Sequence, residues 1–487
     1  MSAATPEASA TSAVVVGGGI SGLLAALELA KAGRQVTVLE ASQGWGGCVG
    51  SHVVAGLTLD SGAESFATRS SAVADLAAEL GIAGSIVAPH PGGAWVQLPD
   101  GARELPKTGV LGIPANPWDP EVRRTLGFAG SLRASLDKVL PASAGTRAAI
   151  TSVSALVRQR MGRRVLERLV EPVVGGVHSA DPALLDVDMV APGLRAGIQA
   201  HGSLAAAVAA QRRGTGAEGA KAGSAVAGFE GGLHKLITAL VAELRQRGVT
   251  LLAGTPAVAV ARTADGWRVS AGEQKYDARL LVVALDGPSA VGLLQDAVPD
   301  LARHRPGSGP DVKLVTLVVD LPELDRRPRG TGILVAPQTP GIQAKALTHA
   351  TAKWDWLAAA AGPGTHVVRL SYGRGEGTGK DARGSDASLP GGDGSGAEDN
   401  VLFESALRDA STLLTVPVTA DDVIDWDVVS WGGVLPFAAV GHRQRVAEVR
   451  RVCAAEGSLV MVGGWLAGNG LAAVVADTRR QLAEVLH

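Results

Sequence analysis

The stretch Ala13-Val14-Val15-Val16-Gly17-Gly18-Gly19-Ile20-Ser21-Gly22 decides the fold. An apolar, β-branched run enters a glycine cluster and then a helix-like segment, and a second strand pattern, Gln35-Val36-Thr37-Val38-Leu39, ends on Glu40. Strand, turn, helix and strand at this spacing form a dinucleotide-binding βαβ unit. Gly17 provides the sharp turn, Gly19 lets main chain approach a pyrophosphate, and Gly22 lets helix and strand pack closely. Gly18, Ile20 and Ser21 complete the phosphate loop, whose helix start offers free N–H groups and a positive dipole. Glu40 is placed to accept hydrogen bonds from ribose hydroxyls.

Beyond Glu40 the chain reads Ala41-Ser42-Gln43-Gly44-Trp45-Gly46-Gly47-Cys48, and then Asp60-Ser61-Gly62-Ala63-Glu64-Ser65-Phe66. A second glycine pair soon after the ribose acid suits main chain passing close to a flavin nucleotide. In this arrangement the chain resembles the FAD oxidoreductases of the amine oxidase and porphyrinogen oxidase superfamily. Glu171-Pro172-Val173-Val174-Gly175-Gly176-Val177-His178-Ser179-Ala180-Asp181-Pro182 is similar to the "EP…GVY.GDP..L" stretch of protoporphyrinogen and coproporphyrinogen oxidases. Phe229-Glu230-Gly231-Gly232 resembles their "F.GG" helix start. Trp431-Gly432-Gly433-Val434-Leu435-Pro436 with Gly441-His442 resembles "W…iP…..GH", and Gly463-Gly464 with Gly468-Asn469-Gly470-Leu471 resembles the final flavin-contacting turn. The matches keep the family's order over nearly the whole chain. Departures are Ala63 for a usual Pro, His178 for Tyr, Ser70 where Lys often stands, and Ala473-Val474 for Asp-Cys.

The resemblance implies FAD as cofactor. Its contacts would fall on Gly17 to Gly22, Glu40, Ala41, Gly46, Gly47 and Cys48, and on Gly62, Ala63, Glu64 and Ser65. Ala257 or Val258 would hold the adenine through backbone groups, and Trp431, Asn469, Gly470 and Leu471 would lie against the isoalloxazine. It further implies six-electron oxidation of a porphyrinogen in haem biosynthesis. Hydride would pass from a meso carbon to the flavin, with molecular oxygen as acceptor and hydrogen peroxide released. Coproporphyrinogen III is the expected substrate, with protoporphyrinogen IX as the alternative. A flavin amine oxidase or carotenoid desaturase, or a non-catalytic flavin or haem carrier, remain open beside it. No side chain is expected to act as nucleophile, and His178, His201 and His442 have no evident acid-base partner. Propionates require cations, and Arg suits bidentate carboxylate capture. Arg69, Lys107 and Arg195 are the candidates for substrate binding, whereas Arg158, Arg160, Arg163 and Arg164 read as a solvated helix face.

The bulk properties limit the alternatives. A chain of 487 residues with 46% hydrophobic residues and a mean hydropathy of +0.20 can bury two or three lobes. A net charge of −2 gives no general attraction to nucleic acid or anionic membranes. Two cysteines, Cys48 and Cys453, exclude a disulfide scaffold and are compatible with a reducing cytoplasm. No metal-ligand spacing occurs. Met1 to Ser12 lacks the basic and apolar pattern of a signal peptide, and the apolar run from Ala191 to Ala210 is broken by Arg195, Gln199 and His201. The expectation is a cytoplasmic protein without a transmembrane segment, open to peripheral membrane contact and to product hand-over to a ferrochelatase.

The fold class expected is α/β: a Rossmann-like FAD-binding domain, discontinuous over 1–85, 226–290 and 425–487, with a mostly helical insert over 86–225 and a sheet-containing substrate lobe over 291–424. Helices are expected over Ala72 to Leu80, Glu121 to Gly130, Ser154 to Val170 and Phe229 to Arg247. Strands are expected at Thr250 to Leu252, Ala257 to Arg262, Trp267 to Ser270, Ala278 to Ala284, Val312 to Val319, Gly332 to Val335, His366 to Tyr372 and Leu459 to Val462. Gly373 to Asn400 is too polar and glycine-rich to bury a core and reads as a mobile loop.

Overall fold

The computed structural model describes residues 12–106, 110–147, 152–178, 181–214, 226–309, 311–373, 395–433, 441–468 and 470–486. One half is built on a five-stranded, all-parallel sheet in the order Thr250–Leu252, Gln35–Leu39, Ser12–Val16, Leu280–Val283, Leu459–Met461. Its strands are runs of Val and Leu because both faces are covered. Ala13, Val15, Val38 and Val282 face the helices Ile20–Lys31, Lys235–Gln246 and Leu471–Leu486. Val14, Val16, Leu39 and Val283 face the opposite way, since successive side chains alternate across a strand. There they meet a small antiparallel sheet, Ala259–Thr263, Gly266–Ala271 and Gln274–Ala278, and the helices Gly287–Leu294 and His442–Glu456. Trp267 is fully buried in that layer and donates its indole N–H to the Ser458 carbonyl at 2.8 Å.

The second half is a seven-stranded mixed sheet in the order Val423–Trp431, Val312–Asp320, Thr365–Tyr372, Ala346–His349, Gly332–Val335, Trp95–Leu98, Gly101–Glu104. It moves two of the expected boundaries. Val423–Trp431 pairs along Val312–Asp320, so this lobe ends at Trp431 rather than at 424. Val298 and Leu301, in and before the turn Pro299–His304, are buried in the nucleotide core, so that half runs past 290. Residues from 86 onward are not all helical either. Ile86–Val87 pairs with Val226–Phe229, and Trp95–Leu98 joins the large sheet, parallel to Gly332–Val335, with Val96 and Leu98 buried. Those strands are short and lie among prolines, which hid them in the sequence.

The rest of the insert is helical: Pro120–Ser135, Val153–Arg160, Glu171–His178, Leu194–His201 and Leu204–Gly214 surround a core that includes Leu126, Leu156, Leu169, Ile198 and Val208. The helix expected through Ser154 to Val170 breaks at Gly162, whose φ is +90°. Arg160 is not on a solvated face. It is fully buried, donates from Nε to Asp137 Oδ1 at 2.5 Å, and gives its remaining N–H groups to carbonyls of Asp137, Pro141, Ala144 and Gly202. Helix Pro120–Ser135 and the turn after it leave Phe128, Leu132, Leu136 and Val139 exposed.

Three other expectations change locally. Phe229 ends a strand rather than opening a helix; Gly231 and Gly232 turn the chain at positive φ and the helix begins at Lys235. The strand expected over Ala278 to Ala284 is split into Gln274–Ala278 and Leu280–Val283. Helix Ser395–Leu414 takes the last residues assigned to the mobile loop, while 374–394 lie outside the described residues. Among the described residues no helix is long and apolar enough to cross a membrane.

Candidate cofactor site

At the end of strand Ser12–Val16 the chain has no room for side chains. Gly17 has φ +105°, and a Cβ there would lie 2.6 Å from the Ala284 carbonyl oxygen. A Cβ on Gly22 would fall 1.9 Å from the carbonyl oxygen of Gly17. Gly19 differs, since its Cβ would face open space with only the Gly46 oxygen at 4.0 Å. Helix Ile20–Lys31 starts there with no side-chain cap and no acidic residue in its first turn, although Ile20, Ser21 and Gly22 are buried. A buried helix start without a protein acceptor requires another one, and a phosphate supplies it. The residues therefore fit a pyrophosphate.

Glu40 holds this loop in place. Its Oε2 accepts from the Gly18 amide at 2.6 Å, and its Oε1 accepts from the amide and hydroxyl of Ser42 at 2.8 and 2.7 Å. Its own backbone ties to Leu252 and Thr255, which brings the Ala257 segment close to it. Ala257 is half-buried there, but Val258 is exposed and its amide already donates to the Ser270 carbonyl.

The second glycine pair lies on the first. The Gly46 amide donates to the Gly18 carbonyl at 2.8 Å, and Gly19 and Gly46 bridge as parallel strands do. Trp45, which sequence reasoning passed over, covers Gly18, where a Cβ would lie 2.5 Å from its ring. Cys48 accepts the Ala63 amide at 2.8 Å and fits against Gly62, where a Cβ would lie 2.3 Å from the Cys48 oxygen. Burial raises the pKa of the Cys48 thiol. Gly19→Val is expected to change the unfolding free energy of the apoprotein by less than about 1 kcal/mol, since its side chain enters free space. The same variant should lose bound flavin, a result readable from the visible spectrum of purified protein.

Further along, the Asp60–Ser65 segment meets the large sheet. The Asp60 carboxylate accepts from the amides of Leu233 and His234, both at 2.9 Å, and so fastens the start of the Lys235–Gln246 helix. Trp431 donates from Nε1 to the Ser61 carbonyl at 2.9 Å. Arg369 donates to the carbonyls of Asp60 and Gly62 at 3.0 and 2.9 Å and pairs with Glu64 at 3.1 Å. Lys353 takes the other Glu64 oxygen at 2.5 Å. Gly470, at φ +113°, leads into helix Leu471–Leu486, whose first residues are buried. Asn469 lies outside the described residues.

The substrate candidates separate. Arg69 is exposed in the turn after Phe66–Ala67, and no ion pair holds it among the described residues. Arg195 is paired: its guanidinium forks onto both oxygens of Asp188. Lys107 lies outside the described residues. His442 is buried with Nε2 2.6 Å from the Trp465 carbonyl, and burial, the largest influence, lowers its pKa. The sequence signal for Arg369 was present, as a lone long cation in the otherwise apolar Val367-Val368-Arg369-Leu370. Nothing in the sequence marked Lys353.

Comparison with known proteins places this geometry. Residues 20–376 match the family described as flavin containing amine oxidoreductase. A coproporphyrinogen III oxidase of Propionibacterium freudenreichii subsp. freudenreichii is 28% identical, over 99% of this chain and 92% of its own. One from Mycobacterium leprae is also 28% identical, over 96% of each chain. A solved structure from Exiguobacterium sp. 255-15, provisionally assigned as a protoporphyrinogen oxidase, superposes with a TM-score of 0.79 at 24% identity, covering 98% of this chain and 99% of that one.

Proposed function

Because this chain belongs to the flavin containing amine oxidoreductase family, we propose that it oxidises coproporphyrinogen III to coproporphyrin III in haem biosynthesis, with oxygen as acceptor. It is an FAD-dependent oxidoreductase. The similarity to two coproporphyrinogen III oxidases over nearly the whole chain carries the choice of substrate. When bound, FAD supplies the two-electron oxidation, three rounds of which remove the six electrons and six hydrogens that separate porphyrinogen from porphyrin. Three molecules of oxygen then become three of hydrogen peroxide.

The chain's own residues bind and orient. The phosphate loop from Gly17 to Gly22, with Gly46 and Gly47 laid over it, fixes the nucleotide end. Ala257 offers main-chain groups to the adenine. Trp431 and Arg369 fix the strap from Asp60 to Glu64, and Trp431, Gly470 and Leu471 would lie against the ring. Arg69, exposed and without an ion pair among the described residues, is the cation for a propionate. No side chain need act as a nucleophile in this reading. Product leaves to a ferrochelatase, and the protein works in the cytoplasm.

The test compares turnover of coproporphyrinogen III and protoporphyrinogen IX by the purified, FAD-loaded protein. A higher kcat/KM on the four-propionate substrate is expected, and a preference for the two-propionate one overturns the assignment. Arg69→Ala should raise KM for coproporphyrinogen by about tenfold, the worth of one charge-assisted hydrogen bond, with FAD content unchanged. An unmoved KM removes Arg69 from the substrate site.

A further inference from the structure

Two buried histidines that the proposed reaction does not use meet in the lobe of the large sheet. His349 ends strand Ala346–His349 and is 0% exposed, and His366 stands near the start of Thr365–Tyr372 at 6%. His349 Nε2 lies 3.0 Å from His366 Nδ1, and the rings meet edge to face with centroids 5.0 Å apart. The Thr351 hydroxyl is 3.1 Å from the same Nδ1 and accepts the Val367 amide at 3.3 Å. His366 Nε2 faces Asp325 Oδ1 at 3.1 Å, and that carboxylate is 57% exposed. His349 Nδ1 is buried without a hydrogen-bond partner among the described residues.

These contacts leave little room for added protons. Asp325 draws the N–H of His366 to Nε2, so His366 Nδ1 is an acceptor, and the Thr351 hydroxyl and His349 Nε2–H donate to it. Both rings are then neutral. One extra proton can sit on His366 beside Asp325, but it makes His349 Nε2 the acceptor and strands an Nδ1–H in the interior, an unsatisfied donor. A second extra proton points N–H at N–H and breaks the contact. Burial above all, with His366 and Arg327 beside it, lowers the His349 pKa to about 3. Burial lowers that of His366 too, against the charge of Asp325 and with that of Arg327. The other charges on the surrounding elements are engaged or face solvent. Arg327 pairs with Asp355, Lys353 and Arg369 with Glu64, and Tyr372 with Asp409, while Asp320, opposite Thr365, is exposed. Strand Gly332–Val335 carries no titratable residue.

We propose that the His349–His366 contact is a proton-sensitive latch, which closes strand Ala346–His349 and helix Ala350–Lys353 onto Thr365–Tyr372 and opens when the rings take up protons. The segment it holds is the one that carries Lys353 to Glu64. The latch goes beyond the oxidase reading and does not depend on it. In the closed state the rings stay uncharged below pH 6.5, whereas in the open state each binds a proton there. The latch is therefore tight above pH 6.5 and loosens as the pH falls below it. Between about pH 7.5 and 5.5, each ring that stays neutral when closed favours opening by about tenfold, or about ten- to hundredfold for the pair.

The experiment measures amide hydrogen exchange in purified full-length protein at both pH values, corrected for the intrinsic rate at each. The reporting amides are those of His349, Trp354 and Val367, which donate to the Thr331 carbonyl, the Ala350 carbonyl and the Thr351 hydroxyl. Their protection should fall about ten- to hundredfold at the lower pH. In the double variant His349→Gln, His366→Asn, a donor and an acceptor still face each other but neither titrates, and protection should change less than about threefold. An equal loss in wild type and variant, or no loss in wild type, overturns the proposal. Where the double variant does not fold, His349→Gln alone decides. Its response should be about tenfold smaller than that of the wild type, and an equal response overturns the latch.

Discussion

Gly22→Ala is expected to yield protein that binds no flavin and has lost at least about 3 kcal/mol of stability, the upper range for forcing one extra carbon into a packed site. The added methyl would be placed 1.9 Å from the Gly17 carbonyl oxygen. Main chain on both sides resists relief. The Gly17 amide is held by the Leu39 carbonyl at 2.8 Å, and Gly17 itself abuts Ala284. The helix Ile20–Lys31 would therefore have to lift from strand Ser12–Val16, opening the core around Leu23, Leu24 and Leu27, each 0% exposed. Chemical denaturation of apoprotein and the visible spectrum of the purified variant measure the two effects. The contrast with Gly19→Val is informative, since that change should remove the cofactor without loosening the fold. Equal destabilisation by both would contradict the open face at Gly19.

The second large effect lies far from the cofactor. Asp137→Ala is expected to cost about 3–5 kcal/mol, the range for stranding one member of a buried ion pair. Asp137 and Arg160 are both 0% exposed. Without the carboxylate, the guanidinium keeps four carbonyls but no counter-charge. The amides of Leu204 and Ala205, which Asp137 accepts at 3.2 and 2.8 Å, also lose their acceptor, so helix Leu204–Gly214 keeps only the Ser203 hydroxyl at its start. Adding Arg160→Met to Asp137→Ala should recover part of the loss, because the uncompensated charge is gone. Urea unfolding of the single and double variants tests this. Flavin content should stay unchanged in both, because the pair belongs to the helical insert and not to the nucleotide core.

The nucleotide half was legible because its constraint is local. A glycine required by a main-chain oxygen 1.9 Å from its missing Cβ leaves a mark at one position, and strands buried on both faces leave runs of Val. The ring side could be read only through resemblance to a family, since Asp60 meets His234 and Glu64 meets Lys353 and Arg369 across long intervals of chain. The solvated-face reading of Arg160 failed for the same reason, and the Asp188 partner of Arg195 went unseen. Helical spacing cannot show that Asp137 waits for Arg160, or that Asp188, beyond the turn at Gly193, reaches Arg195. A charge reads as solvated until its partner is known. The short strand Trp95–Leu98 was missed because the strand that ties it into the large sheet, Gly332–Val335, lies far ahead in the chain, and Gly101–Glu104 pairs only with Trp95–Leu98.

The order of the five-stranded sheet also governs how the polypeptide can be made. Its edge strand Leu459–Met461 and the covering helix Leu471–Leu486 are made long after Ile20–Lys31, yet that helix packs on it. Until they have been made, Leu280–Val283 presents an unpaired edge and the helix Ile20–Lys31 an uncovered apolar face, a state open to aggregation. Such long-range closure makes folding slow, and it means that no contiguous fragment of the gene encodes a self-sufficient nucleotide half.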